Sequence, residues 1–262
     1  MDLPEPLAPT TATASPAITR KDIWCKMTRE PSPLCTSLQR FATSTTALSE
    51  LLKSELKSAM RSILFALVLL SICASSHAAQ TLLVFGDSLS AGLGITQAQS
   101  WPALLAERLR EQHYPYQVVN ASISGETTSG GLARLPATLA RFKPALVIIE
   151  LGANDGLRGL PLTEMRSNLD TMIRQCQARR VKVLLIGMRL PPNYGSDYTK
   201  GFADSYAELA RKRHAALLPF LFEGFAEDRA AFQADGLHPT AALQPRMLDN
   251  VWRVLLPLLR RP

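Results

Sequence analysis

Disulfide staples are the first thing this 262-residue chain lacks. Its four cysteines are Cys25, Cys35, Cys73 and Cys176, and only Cys176 lies where regular elements alternate. One cysteine makes no internal disulfide, so stability must come from a core. Cys176 shares helical spacing with Met165, Leu169, Met172 and Ile173, which marks a buried filler rather than a reactive thiol. Long apolar runs are also scarce. Ile63 to Ile72 is an apolar run of ten, broken only by Ser71, and ten residues are too few to span a bilayer. Aromatic residues are 6% of the chain, and no aromatic-interleaved basic stripe accompanies the net charge of +7. Nucleic-acid binding is therefore not expected. The basic trios Arg179-Arg180-Lys182 and Arg211-Lys212-Arg213 fall near the ends of predicted helices, where cations complement the dipole. Paired His-x-x-x-His and ligand-spaced carboxylates are missing as well, so no metal or cofactor is expected.

The first fifty-nine residues have little apolar periodicity. Pro, Ser, Thr and Ala dominate them, apart from an amphipathic patch at Leu48, Leu51, Leu52 and Leu56. Such composition predicts disorder. Residues 60–78 then read as a secretory signal peptide. Met60-Arg61-Ser62 is a short positive start, the apolar run follows, and Ser76-His77-Ala78 offers a small-residue cleavage site. Ile72 before Cys73 argues against lipidation. The expectation is a biological start at Met60, with residues 1–59 an over-extended reading of the gene or a disordered arm. Cleavage near Ala78 would leave a periplasmic or secreted protein.

From Thr81 onward strand and helix patterns alternate. Strands are predicted at Thr81–Phe85, Gln117–Asn120, Ala145–Leu151, Val181–Gly187 and Ala216–Pro219. Helices are predicted near Ser100–His113, Thr128–Phe142, Leu162–Arg179, Gly201–Arg213 and Thr240–Leu259. Val147-Ile148-Ile149 and Val183-Leu184-Leu185-Ile186 are continuous apolar runs, as strands covered on both faces should be. Short connections between such elements imply right-handed βαβ units and a parallel sheet. Residues 79–262 thus read as one three-layer α/β domain.

Its first strand ends in Gly86-Asp87-Ser88. Ligands in open α/β sheets bind beyond the strand ends, so Ser88 is either a nucleophile facing a crevice or a helix cap. Three later segments bear on the choice. Ser124-Gly125-Glu126 follows the second strand, and Gly125 offers either a backbone N–H open to a ligand or an ordinary turn. Gly152-Ala153-Asn154-Asp155 follows the third, and Asn154 offers either a neutral donor for an oxyanion or a turn-forming amide. Asp235-Gly236-Leu237-His238-Pro239 places a carboxylate three residues before an imidazole. Folded back, Asp235 would accept from Nδ1 of His238 and leave Nε2 as a base. Pro239 suits the first turn of a closing helix that would hold His238. His113 and His214 have no such neighbour and read as solvated helix ends.

Taken in order, Gly-Asp-Ser, Gly, Gly-x-Asn-Asp and Asp-x-x-His resemble the SGNH (GDSL) hydrolase family over residues 80–260. Gly131-Leu132-Ala133-Arg134-Leu135-Pro136, Asn154 to Gly159 and Arg189 to Gly195 look closest to the branch of periplasmic acyl thioesterases that also act as lysophospholipase, arylesterase and protease I. The resemblance implies a flavodoxin-like fold with five parallel strands. It implies Ser88 as nucleophile, His238 as base and Asp235 as its orienting acid. The oxyanion hole would be the N–H groups of Ser88 and Gly125 with the Asn154 amide. The substrate would be a small acyl ester, thioester or lysophospholipid, and the enzyme a monomer. Leu157, Leu160 and Tyr194 are expected beside an acyl groove; the alternative is that Leu157, Leu160 and Leu190 only cover the sheet. A carbohydrate O-acetylesterase is the alternative, and a non-catalytic binding module on the same fold is a further one. The α/β-hydrolase elbow fits less well, because Ser90 stands where its last glycine belongs.

Overall fold

A computed structural model describes residue 44, residues 48–62 and residues 79–260, which fall into two compact units divided after Ser76. In the N-terminal unit, residues 48–62 are helical. Leu48, Leu51, Leu52, Leu56 and Met60 are exposed there. The apolar run and cleavage site of the expected signal peptide lie outside the described residues.

The second unit begins with β1 (Gln80–Gly86), a strand whose last five residues are buried. It continues through α1 (Ser88–Ala91), α2 (Trp101–Glu111), β2 (Tyr116–Asn120), α3 (Thr128–Phe142), β3 (Leu146–Glu150) and α4 (Ala153–Leu157). Then come α5 (Leu162–Ala178), β4 (Lys182–Ile186), α6 (Ser196–Arg213), β5 (Ala216–Leu218) and α7 (Gln244–Leu255). The five strands are parallel in the order β2-β1-β3-β4-β5. This is the flavodoxin-like order. α2 packs with α7, while α3, α5 and α6 pack in succession, which gives two helical layers around the sheet. Every residue of β3 is buried, the outcome of cover on both faces. α2 buries Trp101, Leu105 and Leu109, one per turn, and α5 buries Met165, Leu169, Met172, Ile173 and Cys176. The buried apolar cluster runs from Leu82 to Leu259, so this unit carries a core of its own.

All five predicted strands form. Helix boundaries differ at two places. α6 starts at Ser196, ahead of the predicted Gly201. Gly201 sits inside it because packing outweighs propensity there: its carbonyl accepts from Arg166 and from Ser205. The closing helix starts at Gln244, not Thr240, with Pro245 in its first turn. Pro239 instead bridges antiparallel to Phe232. The expected helical support of His238 is therefore replaced by a strand-like one. No helix among the described residues is long and apolar enough to cross a membrane.

β1 has β2 on one side and β3 on the other. The chain reverses its direction of travel across the sheet at β1, and a crevice opens at such a switch point. The segments that follow β1, β2 and β3 carry Ser88 at the start of α1, Gly125 in a loop and Asn154 in α4.

Candidate active site

Ser88 is the first residue of α1, and the cap is Asp87, whose Oδ1 accepts from Leu89 N at 3.0 Å. That leaves the Ser88 hydroxyl free for other work. Its Oγ lies 2.9 Å from Nε2 of His238, and Nδ1 of His238 lies 2.7 Å from Oδ2 of Asp235. The second oxygen of Asp235 accepts from the backbone N–H of Leu237 at 2.9 Å and of His238 at 3.0 Å. These two backbone bonds, and then the imidazole, hold the Asp235 carboxyl at about 2. It is ionised at any working pH and fixes the proton of His238 on Nδ1. The strand-like support of the loop comes from Gln233 N donating to His238 O at 2.8 Å and Thr240 N donating to Ala231 O at 2.9 Å.

A second acidic system lies behind the nucleophile. Glu150 ends β3, fully buried, and its Oε2 accepts from Ser90 Oγ at 2.7 Å and from Asp87 N at 3.3 Å. Gly86 has to be glycine here, because a Cβ would stand 2.7 Å from Glu150 Oε2 and 2.8 Å from Ser90 Oγ. Burial pushes Asp87 up to about 6. Burial, and then the charge of Asp87, push Glu150 well above the usual carboxylate range. Two adjoining buried carboxyls do not both ionise readily, and Glu150, the more deeply buried, is the one driven further toward its neutral form. Glu150 was not among the residues singled out from sequence. Its signal was a lone acid closing an apolar strand.

The three oxyanion candidates face the same crevice. Gly125 has φ +79°, a conformation that favours glycine. Among the described residues no hydrogen bond engages the N–H of Gly125 or of Ser88. Asn154 differs: its Nδ2 donates to Asp87 Oδ2 and to Glu126 O, each at 3.0 Å. Both hydrogens of its amide are therefore engaged within the protein. The next residue, Asp155, accepts from Thr128 N at 2.8 Å and from Thr128 Oγ1, which ties α4 to the start of α3. Arg134 braces the intervening loop through Glu126 and the Ala121 carbonyl.

The chain belongs to the GDSL-like lipase/acylhydrolase family. The model of that family matches residues 84–244, from β1 to the start of α7. The chain is similar to esterase TesA of Pseudomonas aeruginosa, 54% identical over 194 residues that cover 74% of this chain and 95% of TesA. It is 42% identical to thioesterase 1/protease 1/lysophospholipase L1 of Escherichia coli K12, over 73% of this chain and 90% of that protein. The crystal structure of TesA superposes with a TM-score of 0.67, covering 69% of this chain and all of the TesA chain. Membership makes this GDSL protein a serine hydrolase that acts on ester bonds.

The GDSL crevice has a volume of about 820 Å³ and is apolar on one side, where Leu157, Met188, Leu190, Phe220, Phe222 and Phe232 line it. Leu157 was expected there. Leu160 and Tyr194 are not among the lining residues. Tyr194 donates its hydroxyl to the Leu157 carbonyl at 3.0 Å, so it braces the wall from outside. Tyr198 donates its hydroxyl to the Leu160 carbonyl at 2.7 Å. The phenylalanines were missed. Their signal was the aromatic cluster Phe220, Phe222 and Phe225 in a loop between β5 and the histidine.

Proposed function

We propose that this chain is an exported serine esterase that hydrolyses medium- to long-chain acyl esters and thioesters, lysophospholipids among them. The observation that carries the reading is the Ser88–His238–Asp235 relay, with contacts of 2.9 and 2.7 Å, at the edge of an apolar crevice. The P. aeruginosa relative is named an esterase and the E. coli relative a thioesterase and lysophospholipase, which supports the same substrate class.

In the first half-reaction His238 Nε2 takes the Ser88 proton as Oγ attacks the acyl carbonyl. Asp235 stabilises the imidazolium that results. The N–H groups of Ser88 and Gly125, joined by the Asn154 amide, receive the developing oxyanion. His238 then returns the proton to the leaving alcohol or thiol, and an acyl-enzyme remains. Water, deprotonated by the same imidazole, attacks that ester and releases the acid. No step calls for a metal or a cofactor. The acyl chain lies against Met188, Phe220 and Phe222, and the enzyme works as a monomer. Export follows cleavage near Ala78.

A panel of palmitoyl-CoA, lysophosphatidylcholine, p-nitrophenyl esters and acetylated sugars tests the reading. We expect turnover of the long-chain substrates, and a loss of about 10⁴–10⁶-fold in kcat in Ser88→Ala. Preference for acetylated sugars would make this an O-acetylesterase. Absence of turnover on all four would make it a binding module.

A further inference from the structure

His238 stands on an exposed loop. Ala234, Asp235, Gly236 and Leu237 are all exposed, and α7 begins only at Gln244. A base that meets Ser88 at 2.9 Å needs a firmer seat than such a loop offers. Asp235 does not supply it. Its bonds go to Leu237 N, His238 N and the imidazole, all within the loop. They fix the ring against the loop and leave the loop free to shift against Ser88. At the foot of the loop Phe232 packs on Phe222 and Phe225, with ring centroids 5.5 and 6.0 Å apart. Such apolar packing holds the foot down but is non-directional.

Gln233 supplies the directional tie. Its Nε2 donates to the Leu93 carbonyl at 2.8 Å and to the Pro239 carbonyl at 3.2 Å. Its backbone N–H donates to the His238 carbonyl at 2.8 Å. Leu93 is bonded in turn to the nucleophile, its N–H donating to the Ser88 carbonyl at 3.2 Å. One half-buried residue thus holds both partners of the Ser88–His238 contact, the histidine through its main chain and the serine segment through its side chain. Among the described residues, only the Ser88–His238 contact and the Gln233–Leu93 bond join residues 231–240 to residues 88–94 by hydrogen bonding. Gly94 shows the same clamp from the other side. It has φ +78°, and a Cβ there would overlap Gln233 Oε1.

We propose that Gln233 is a positioning residue that sets the approach of His238 Nε2 to Ser88 Oγ by tying the histidine loop to the Leu93 carbonyl. It touches no reacting atom. The role rests on the Ser88–His238–Asp235 relay proposed above. Its weight comes from geometry: a misplacement of about 1 Å between reacting groups can cost on the order of 10² in rate.

The test is steady-state hydrolysis of p-nitrophenyl butyrate by the full chain, with near-ultraviolet circular dichroism to show that each variant is folded. Gln233→Met keeps the length of the side chain and loses the donor. We expect its kcat to fall about 10–100-fold, with KM within about twofold of wild type. The Nδ1 proton of His238, followed by NMR, should stay bonded to Asp235, because only the seat of the loop has changed. Gly94→Ala keeps Gln233 but drives its amide off Leu93, since the end of a flexible side chain yields first. It should lose kcat to a similar extent, and the double variant should lose no more than the worse single one, because there is one tie to break. A folded Gln233→Met with wild-type kcat overturns the proposal. So does a loss carried by KM, which would make Gln233 a substrate-binding residue, and so do losses that multiply in the double variant. Disappearance of the Nδ1 proton signal overturns it too, because Gln233 then only maintains the inner fold of the loop. If Gln233→Met does not fold, Gly94→Ala decides, and wild-type kcat there overturns the proposal. Ser88→Ala and His238→Ala separate the two levels. If either stays active, the relay fails and the role of Gln233 falls with it; if both are inactive beside a fully active Gln233→Met, the role of Gln233 alone is refuted.

Discussion

Asp87 and Asp235 stand at the two ends of one contact, between Ser88 and His238. One precedes Ser88 by a single residue, and the other precedes His238 by three. Asp235 is exposed and accepts two backbone N–H groups and an imidazole. Asp87 is fully buried and accepts one backbone N–H and the Asn154 amide, with Glu150 beside it. Their acidities part accordingly: about 2 for Asp235, about 6 for Asp87. Hydrogen bonds to the charged form outweigh slight desolvation in the first, and loss of water outweighs the bonds in the second. Two residues of one type thus take two tasks. The permanently ionised one holds the His238 ring. The buried one builds, capping the nucleophile helix and fixing the amide.

The comparison is broken most directly at the two aspartates. Asp235→Asn should cost about 10⁴ in kcat, because an amide no longer enforces the Nδ1–H tautomer or steadies the imidazolium. Asp87→Asn keeps the capping oxygen for Leu89 N and loses only one of the two acceptors of Asn154, which Glu126 O still holds, so its loss should stay below about tenfold. Steady-state kinetics on p-nitrophenyl butyrate decide; equal losses would mean the two roles are not separate. Between these extremes, Asn154→Ala should lose about 10²–10³ in kcat with little change in KM. An unimpaired variant would confine Asn154 to bracing Asp87 and Glu126.

The smallest effect is on stability. The raised affinity of folded Glu150 for its proton means that the native state holds a proton the unfolded chain has released above its ordinary value of 4.5. Stability from this source is whole below that value and declines as pH rises. Asp235 has the opposite sign: its contribution is whole above the ordinary 3.8 and is lost as pH falls toward 2. Glu150→Gln carries no such proton. Its Tm relative to wild type should therefore rise with pH, reaching on the order of 2–4 °C at pH 8 and vanishing near pH 4. A constant offset at all pH values would show that folding does not raise the proton affinity of Glu150.

Much of the architecture was legible in the chain. Apolar runs such as Val147-Ile148-Ile149 have only one use in an alternating pattern, so all five strands form where they were predicted. Asp235 and His238 are also local, because three residues suffice to fold a carboxylate onto an imidazole. Helix ends were less legible. A proline or glycine signals a boundary only when nothing else claims the position. Pro239 is claimed by its bridge to Phe232, and Gly201 by Arg166 and Ser205.

What the sequence by itself determined is the five strands and the local Asp235–His238 pair, since both rest on residue type and short spacing. What only the tertiary structure decided is the surroundings. It brought Glu150 against Asp87 across 63 residues, walled the crevice with Phe220, Phe222 and Phe232, set Tyr194 behind Leu157, and left Leu93, Ile123 and Leu237 in the open. The reason is physical. Charge state and exposure depend on which distant atoms exclude water, and that is settled only when the sheet and its layers close.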